Sequence, residues 1–187
     1  MKKLIGILVL GLFLITPSQA DDIRDLQIEG ISIGDSLLDH FSEKTINDNK
    51  KYYYKTKEFY QFGKTGGYEV YDMVQFTLRE NDKKYIIHGI AGKLFYENNF
   101  NGCIKKKDNI VKEIKDLLGN IATFKDIGIK SHTYDKSGKS KVDKVNFFIN
   151  NGGGVTIYCT DWSEEYEFDD NLKIQIISKD LLKYFKG

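Results

Sequence analysis

Residues 145–159 of this chain, VNFFINNGGGVTIYC, contain the pattern that decides its fold. Apolar residues alternate with their neighbours on both sides of a glycine-rich turn: Val145, Phe147 and Ile149 before it, and Val155, Ile157 and Cys159 after it. Two alternating segments that flank such a turn predict an antiparallel β-hairpin with one buried face. Cys159 is therefore expected to face the core.

The segments around this hairpin predict more antiparallel sheet. The predicted elements are, in chain order, a helix near 35–44, strands near 70–78 and 85–96, a helix over 104–118, a strand at 121–127, the hairpin, a strand at 172–177 and a helix after Ser178. The order is roughly a helix, three strands of which the two named are the long ones, a helix, four strands and a helix. Strands that follow one another directly predict an α+β fold with antiparallel sheet, its helices packed on one side. Two degenerate halves, each a helix followed by a meander, are a further interpretation.

Residues 1–20 have the features of an export signal. Lys2 and Lys3 precede thirteen apolar residues, and small residues end the segment at Ala20. The apolar run spans only about 20 Å as a helix, too short for a bilayer core of about 30 Å. We therefore predict cleavage after Ala20 and no stable membrane insertion afterwards. The location is then periplasmic or secreted, with residues 21–187 forming a single α+β domain.

The charge balance points to no particular partner. Without Lys2 and Lys3, 26 basic residues remain against 27 acidic residues, a net charge of −1. Only Arg24 and Arg79 supply guanidinium groups, which are preferred for recognising phosphates and bases. We expect no concentrated basic face and no nucleic-acid partner. The three lysines at 105–107 are expected to form a solvated first turn of the second helix.

Cys103 and Cys159 are the two cysteines of the chain. An even number of cysteines in an oxidising compartment favours one structural disulfide. Two buried free thiols are the alternative. If the bridge forms, loop-closure entropy gives it a stabilising effect of about 4 kcal/mol.

The element order resembles two groups of known proteins. Together with the glycine of Ile33-Gly34-Asp35-Ser36, it is similar to the helix-plus-meander modules of outer-membrane assembly lipoproteins and of the tandem β-lactamase inhibitor protein. The whole chain resembles small exported proteins of unknown function from AT-rich marine bacteria, at 33–39 and at 135–140. The exported proteins bring no activity with them. We interpret the chain as a non-catalytic binding or envelope-assembly module that acts through a sheet face or an aromatic loop. Its partner would be an envelope protein or a small ligand.

The enzyme alternative is a degenerate serine esterase that uses Ser36. Gly34-Asp35-Ser36-Leu37 is similar to the nucleophile block of the GDSL esterases. That family also needs an Asp-x-x-His, whereas the residues three positions before the histidines are here Leu37, Tyr85 and Ile129. Because a serine without a base is a weak nucleophile, we interpret Ser36 as a residue that starts a helix.

Two further motifs are interpreted as surface loops. Gly138-Lys139-Ser140 resembles the end of a phosphate-binding loop, but Thr133 stands where that motif needs glycine. The acidic loop at 161–170 lacks the ligand order and central glycine of an EF-hand. We therefore expect no metal and no cofactor.

Four aromatic residues are the remaining binding candidates: Tyr52, Tyr53, Tyr54 and Trp162. Aromatic rings beside glycine-rich or acidic loops either form a recognition surface or bury themselves under the loop. The second alternative is the more common one.

Overall fold

The computed structural model describes residues 22–54 and 56–186. The predicted export signal at 1–20 and its cleavage site lie outside these described residues. Within them, the chain forms a small hairpin, a seven-stranded sheet and three α-helices. None of these helices combines the length and the apolar character that a membrane crossing requires.

The small hairpin pairs β1 (Gln27–Ile28) with β2 (Ile31–Ser32). The strands of the large sheet are β3 (Phe59–Thr65), β4 (Met73–Arg79), β5 (Ile87–Phe95), β6 (Ala122–Ser131), β7 (Lys141–Ile149), β8 (Gly154–Asp161) and β9 (Asn171–Ile177). The helices are α1 (Glu43–Asp48), α2 (Phe100–Leu118) and α3 (Lys179–Lys186).

The large sheet is antiparallel throughout, with the strand order β3-β4-β5-β9-β8-β7-β6. It consists of a three-stranded meander and a four-stranded meander, which meet where β5 pairs with β9. The predicted α+β class with antiparallel sheet is confirmed. The last strands of the two meanders are neighbours, as two related halves would place them, and the common origin of the halves stays a prediction.

The hairpin predicted at 145–159 is present as β7 and β8. Phe147 pairs with Val155, and Asp143 pairs with Cys159. The turn needs glycine, because Gly152 and Gly153 have φ angles of 99° and 89°. A Cβ atom on Gly153 would also lie 2.6 Å from the carbonyl oxygen of Ile177.

The core lies on the face of the sheet that α1 and α2 cover. Its members come from both meanders and from α2, and include Phe62, Phe76, Ile90, Ile110, Ile114, Phe147, Ile157 and Ile174. A disulfide between Cys103 of α2 and Cys159 of β8 links the helix to the sheet, with Cα atoms 5.9 Å apart. The predicted pair thus lies at a distance that a disulfide spans.

An ion pair lies directly beside this disulfide. Lys107 of α2 donates a hydrogen bond of 2.7 Å to Asp143 of β7, and both side chains are buried. Lys107 is one helical turn after Cys103, and Asp143 is the cross-strand partner of Cys159. The expectation that the lysines at 105–107 are all solvated is wrong for Lys107, because a carboxylate on a distant strand compensates its charge.

The helices do not all pack on one side of the sheet, as the sequence had suggested. Leu181 of α3 packs with Ile177 and Phe59, whereas the adjacent Ile176 belongs to the core under α2. Successive residues of a strand point to opposite faces. Since Ile177 follows Ile176, α3 lies on the face opposite to α2.

The first predicted helix is divided into two shorter pieces. A 3₁₀ turn at Leu37–Asp39 begins at Ser36, and α1 begins after Ser42, whose hydroxyl accepts a hydrogen bond from the Thr45 amide. The backbone of Ser36 pairs with that of Ile86, which ties this segment to the sheet. A continuous helix over 35–44 could not make that pairing.

Candidate binding surface on the open face of the sheet

The face of the large sheet opposite α2 is here called the open face. Among the described helices, only α3 packs on it, at one end. Lys173 in its middle is buried, whereas seven other strand residues there are half-buried: Gln75, Lys93, Lys144, Asn146, Thr156, Tyr158 and Gln175. This face therefore offers a wide, polar surface to a partner.

Positive charge is concentrated on the open face. Strand pairing places five lysines there: Lys93, Lys125, Lys130, Lys144 and Lys173. Among the described strand residues that point to this face, none is Asp or Glu. The expectation of no concentrated basic face is wrong, because side chains alternate along each strand and Asp143 points to the core instead.

Three of these lysines and one tyrosine form one row across neighbouring strands. Lys93 on β5 is directly opposite Lys173 on β9, Lys173 is opposite Tyr158 on β8, and Tyr158 is opposite Lys144 on β7. Neighbouring strands are about 4.8 Å apart, so the row extends over about 14 Å. We call these four residues the lysine row.

Lys173 is the most buried member of the lysine row, with 8% of its surface exposed. Its Nζ atom lies 5.9 Å from the centre of the Tyr158 ring. Within the described part of the chain, no side chain or carbonyl accepts a hydrogen bond from the Nζ atoms of Lys93, Lys144 or Lys173, and none forms an ion pair with them. Their charges are thus left without direct compensation.

Burial shifts the pKa values of the lysine row. It lowers the pKa of Lys173 to about 8, and together with the nearby charge of Lys173 it lowers the pKa of Lys93 to about 8. The charge of Asp169 counteracts the shift at Lys93. Burial also lowers the pKa of Lys144 and raises the pKa of Tyr158. A pKa of about 8 leaves Lys93 and Lys173 mostly charged at neutral pH.

Neutral hydrogen-bonding groups lie along the next row of the open face. Gln175, Thr156 and Asn146 occupy positions two residues from the lysine row on their strands, and Gln75 continues this second row on β4, opposite Ala91 of β5. The hydroxyl of Thr156 donates to Oδ1 of Asn146 at 3.0 Å. This arrangement can orient an anionic group by charge and by amide hydrogen bonds, and it contains no nucleophile paired with a base.

The three tyrosines predicted as binding candidates are separated by the structure. Tyr52 donates a hydrogen bond of 2.8 Å to Glu80. Tyr53 is 67% exposed, and Tyr54 is half-buried, its hydroxyl accepting a hydrogen bond from Gln61. Only Tyr53 and Tyr54 therefore share a surface.

Tyr53 and Tyr54 line a groove of about 970 Å³ between α3 and the start of β3. Arg79 lies in this groove with its guanidinium 5.0 Å from the centre of the Phe59 ring. Carboxylates of Glu58 and Asp180 each lie 3.7 Å from the same guanidinium. Since these carboxylates compensate Arg79, the groove attracts an anion less strongly than the lysine row does.

Trp162 belongs to a packed group of aromatic rings at the other end of the sheet. Tyr134, Trp162, Tyr166 and Phe168 are in mutual contact, with ring centres 4.9 to 6.3 Å apart. The rings pack on one another by edge and face contacts, while Tyr134 and Phe168 keep 62% and 50% of their surfaces exposed. The sequence indicated Trp162 but not its three partners, which are distributed over two loops.

Ser36, the nucleophile of the esterase alternative, has no base among its described hydrogen-bond partners. The hydroxyl of Ser36 donates to the carbonyl of Lys84 at 2.8 Å and accepts from the amide of Leu38. No histidine is among its hydrogen-bond partners in the described residues. Ser36 therefore begins a turn of helix, as interpreted from the sequence, although the turn is 3₁₀.

The two motifs interpreted as loops have structural roles. Asp135 accepts hydrogen bonds from Ser137 and from Ser140, which closes the turn around Gly138. In the acidic loop, Glu165 pairs with Lys139, and Asp170 accepts from the amide of Trp162. The described residues contain no group of acidic, histidine or cysteine side chains arranged to hold a metal ion.

Comparison with known proteins does not assign this chain to a family. No protein-family model matches the sequence, and no curated protein matches it. The functional argument therefore rests on the open face itself.

Proposed function

We propose that this chain is an exported, non-catalytic binding protein of the cell envelope that acts through the open face of its sheet. The observation that carries the proposal is the segregation of charge. A chain whose acidic and basic residues nearly balance presents five strand lysines on one face, with no acidic strand residue beside them in the described part. A surface that concentrates one sign of charge attracts a partner of the opposite charge, which is typical of recognition surfaces.

The architecture supports binding more than catalysis. The open face has lysine ammonium groups, amides and hydroxyls, and its lysine row contains no nucleophile paired with a base. At the end covered by α3, the hydroxyl of Ser178 lies 3.4 Å from Nδ1 of His88, but the same hydroxyl accepts a hydrogen bond from the amide of Leu181 and so caps α3. The disulfide and the ion pair of Lys107 with Asp143 hold α2 on the opposite face. A rigid support of this kind keeps an open sheet face preorganised for a partner.

Site-specific photocross-linking in cells that export the protein tests this proposal. A photoreactive amino acid at Gln175, in the middle of the open face, should give defined cross-linked products. The matched control places the same amino acid at Glu113, which is exposed on α2. Equal cross-linking from both positions, or none from Gln175, would contradict the use of the open face.

Export is tested separately by mass spectrometry of the protein from the cell envelope. The expected mature protein begins at Asp21. A chain that retains residues 1–20 in the cytoplasmic fraction would contradict export while leaving the binding surface untouched.

A further inference from the structure

We propose that the lysine row binds a phosphate-type dianion, the group carried by free phosphate, by phosphate monoesters and by some lipid headgroups. This inference rests on the proposed function, because it names the chemistry that the open face recognises. The row consists of Lys93, Lys173, Tyr158 and Lys144. Lys93 and Lys173 form the centre of the site.

The first argument is the unfavourable placement of Lys93 and Lys173. Like charges directly opposite one another in neighbouring strands destabilise a sheet. Burial adds to the cost, since a charge removed from water needs a partner. Lys173 is more than nine-tenths buried, and apart from the ring of Tyr158 it has neither a hydrogen-bond nor an ion-pair partner among the described residues. A bound anion between the two ammonium groups removes both penalties at once.

The second argument is that the centre of the row carries two positive charges, the number that a dianion needs. Two lysines stand on adjacent strands, and Lys144 stands two strands beyond Lys173 with Tyr158 between them. A dianion receives two point charges from the centre of the row. Lysine suits this task because its ammonium binds phosphate as a compact point charge, without the planar geometry that arginine uses for carboxylates.

The third argument is the surroundings of the row. Gln175 and Asn146 lie one pleat away on β9 and β7, where their amide groups can donate to further phosphate oxygens. The nearest opposing charge is that of Asp169, in the loop before β9, and it acts on Lys93 without a direct contact. The site therefore has donors on several sides and no carboxylate within it.

The experiment is a calorimetric titration of the mature protein with inorganic phosphate at constant ionic strength. Lys173→Met, which replaces the central ammonium by an apolar side chain of similar length, should weaken phosphate binding about tenfold or more, the loss of one charge-assisted hydrogen bond. Lys112→Met, on the exposed side of α2, is the matched control and should bind like the wild type. Circular dichroism confirms that each variant is folded.

A second arm distinguishes the source of the phosphate. Vesicles of phosphatidylcholine containing phosphatidic acid are compared with vesicles of phosphatidylcholine alone. Binding to the first vesicles only, lost in Lys173→Met, identifies a lipid headgroup, and binding of inorganic phosphate alone identifies a soluble ligand. Both results support the phosphate site.

Three results would overturn the site. They are the absence of binding in both arms, binding that Lys173→Met leaves unchanged, and salt-dependent binding of single-stranded DNA without any response to phosphate. If Gln175 still cross-links to a partner in cells, only the phosphate chemistry is wrong. If that cross-link is also absent, the proposed function fails as well.

Discussion

Lys107 and Lys173 are buried to a similar extent on opposite faces of the same sheet, with 3% and 8% of their surfaces exposed. Lys107 donates to Asp143 at 2.7 Å. Burial opposes its charged form, but the hydrogen bonds and charges of Asp143 and, to a smaller extent, Asp108 outweigh burial and raise the pKa of Lys107. Lys173 has no such partner among the described residues, and burial lowers its pKa.

The charge of Lys107 thus stabilises the fold, whereas the charge of Lys173 does not. On the face covered by α2, the buried lysine is compensated within the chain and helps to position a helix. On the open face, the buried lysine is directly opposite another lysine. Charged groups with strongly shifted pKa values are concentrated at functional sites, and so the comparison supports the proposed binding role of the open face.

The largest effect is expected on the face that α2 covers, from removing the ion-pair partner of Lys107. Asp143→Asn leaves the ammonium of Lys107 buried with only the exposed Asp108, 3.3 Å away, as its partner. We expect a loss of about 3–5 kcal/mol in the free energy of unfolding, measured by urea denaturation. Asp116→Asn, at an exposed position of the same helix, is the control and should change stability by less than about 0.5 kcal/mol.

A double replacement makes this prediction sharper. Lys107→Met combined with Asp143→Leu removes both charges, and it should be close to neutral or stabilising. A double variant that is as unstable as Asp143→Asn would show that packing volume, not an uncompensated charge, explains the loss.

The disulfide beside this ion pair should have an effect of similar size. Cys103→Ser, Cys159→Ser and the double change should each reduce the free energy of unfolding by about 4 kcal/mol, because each removes the same cross-link. The measurement is urea denaturation under oxidising conditions. Two free thiols in the unreduced, denatured protein would contradict the bridge.

Local patterns explain which parts of this fold could be predicted. The strands around the glycine-rich turn and the amphipathic α2 are encoded in short stretches, so the sequence predicts their type and order. The pairing of β5 with β9 is not local, since it joins segments about eighty residues apart. The lysine row depends on that register, and no spacing within the sequence brings Lys93, Lys144 and Lys173 together.

The same reason explains the errors over α3 and Lys107. The face on which α3 packs depends on the register at the end of β9, where Ile177 points away from α2. The burial of Lys107 depends on Asp143, which is 36 residues away. In both cases, the helical pattern identifies the helix but not the part of the sheet against which it packs.

On the open face, removing the central charge should stabilise the protein. Lys173→Met abolishes the repulsion with Lys93 and the burial of an uncompensated ammonium. We expect a gain of about 1–3 kcal/mol in the free energy of unfolding, the opposite sign to Asp143→Asn. Urea denaturation without phosphate is the measurement. A loss of stability of that size would contradict the unfavourable placement of Lys173.

The smallest expected effect is a rise of stability with pH. Lys93 and Lys173 have pKa values lowered to about 8 in the folded protein, below the value of about 10.4 in the unfolded chain. Between about pH 8 and about pH 10 the unfolded chain therefore binds more protons, so the free energy of unfolding increases with pH. The facing groups are Lys144, Tyr158 and the more distant Asp169, and only Lys144 titrates in the same direction within this window.

Urea denaturation across this window should show an increase of about 1–2 kcal/mol for the wild type, and a smaller increase for Lys173→Met. Lys107 gives the reference behaviour, because its raised pKa supplies stability that is lost only as the pH rises above about 10.4. Saturating phosphate should flatten the slope, since a bound dianion keeps the lysines protonated and raises their pKa values. A wild-type stability that falls between about pH 8 and about pH 10 would mean that the lysines of the open face are already compensated, and the contrast with Lys107 would disappear.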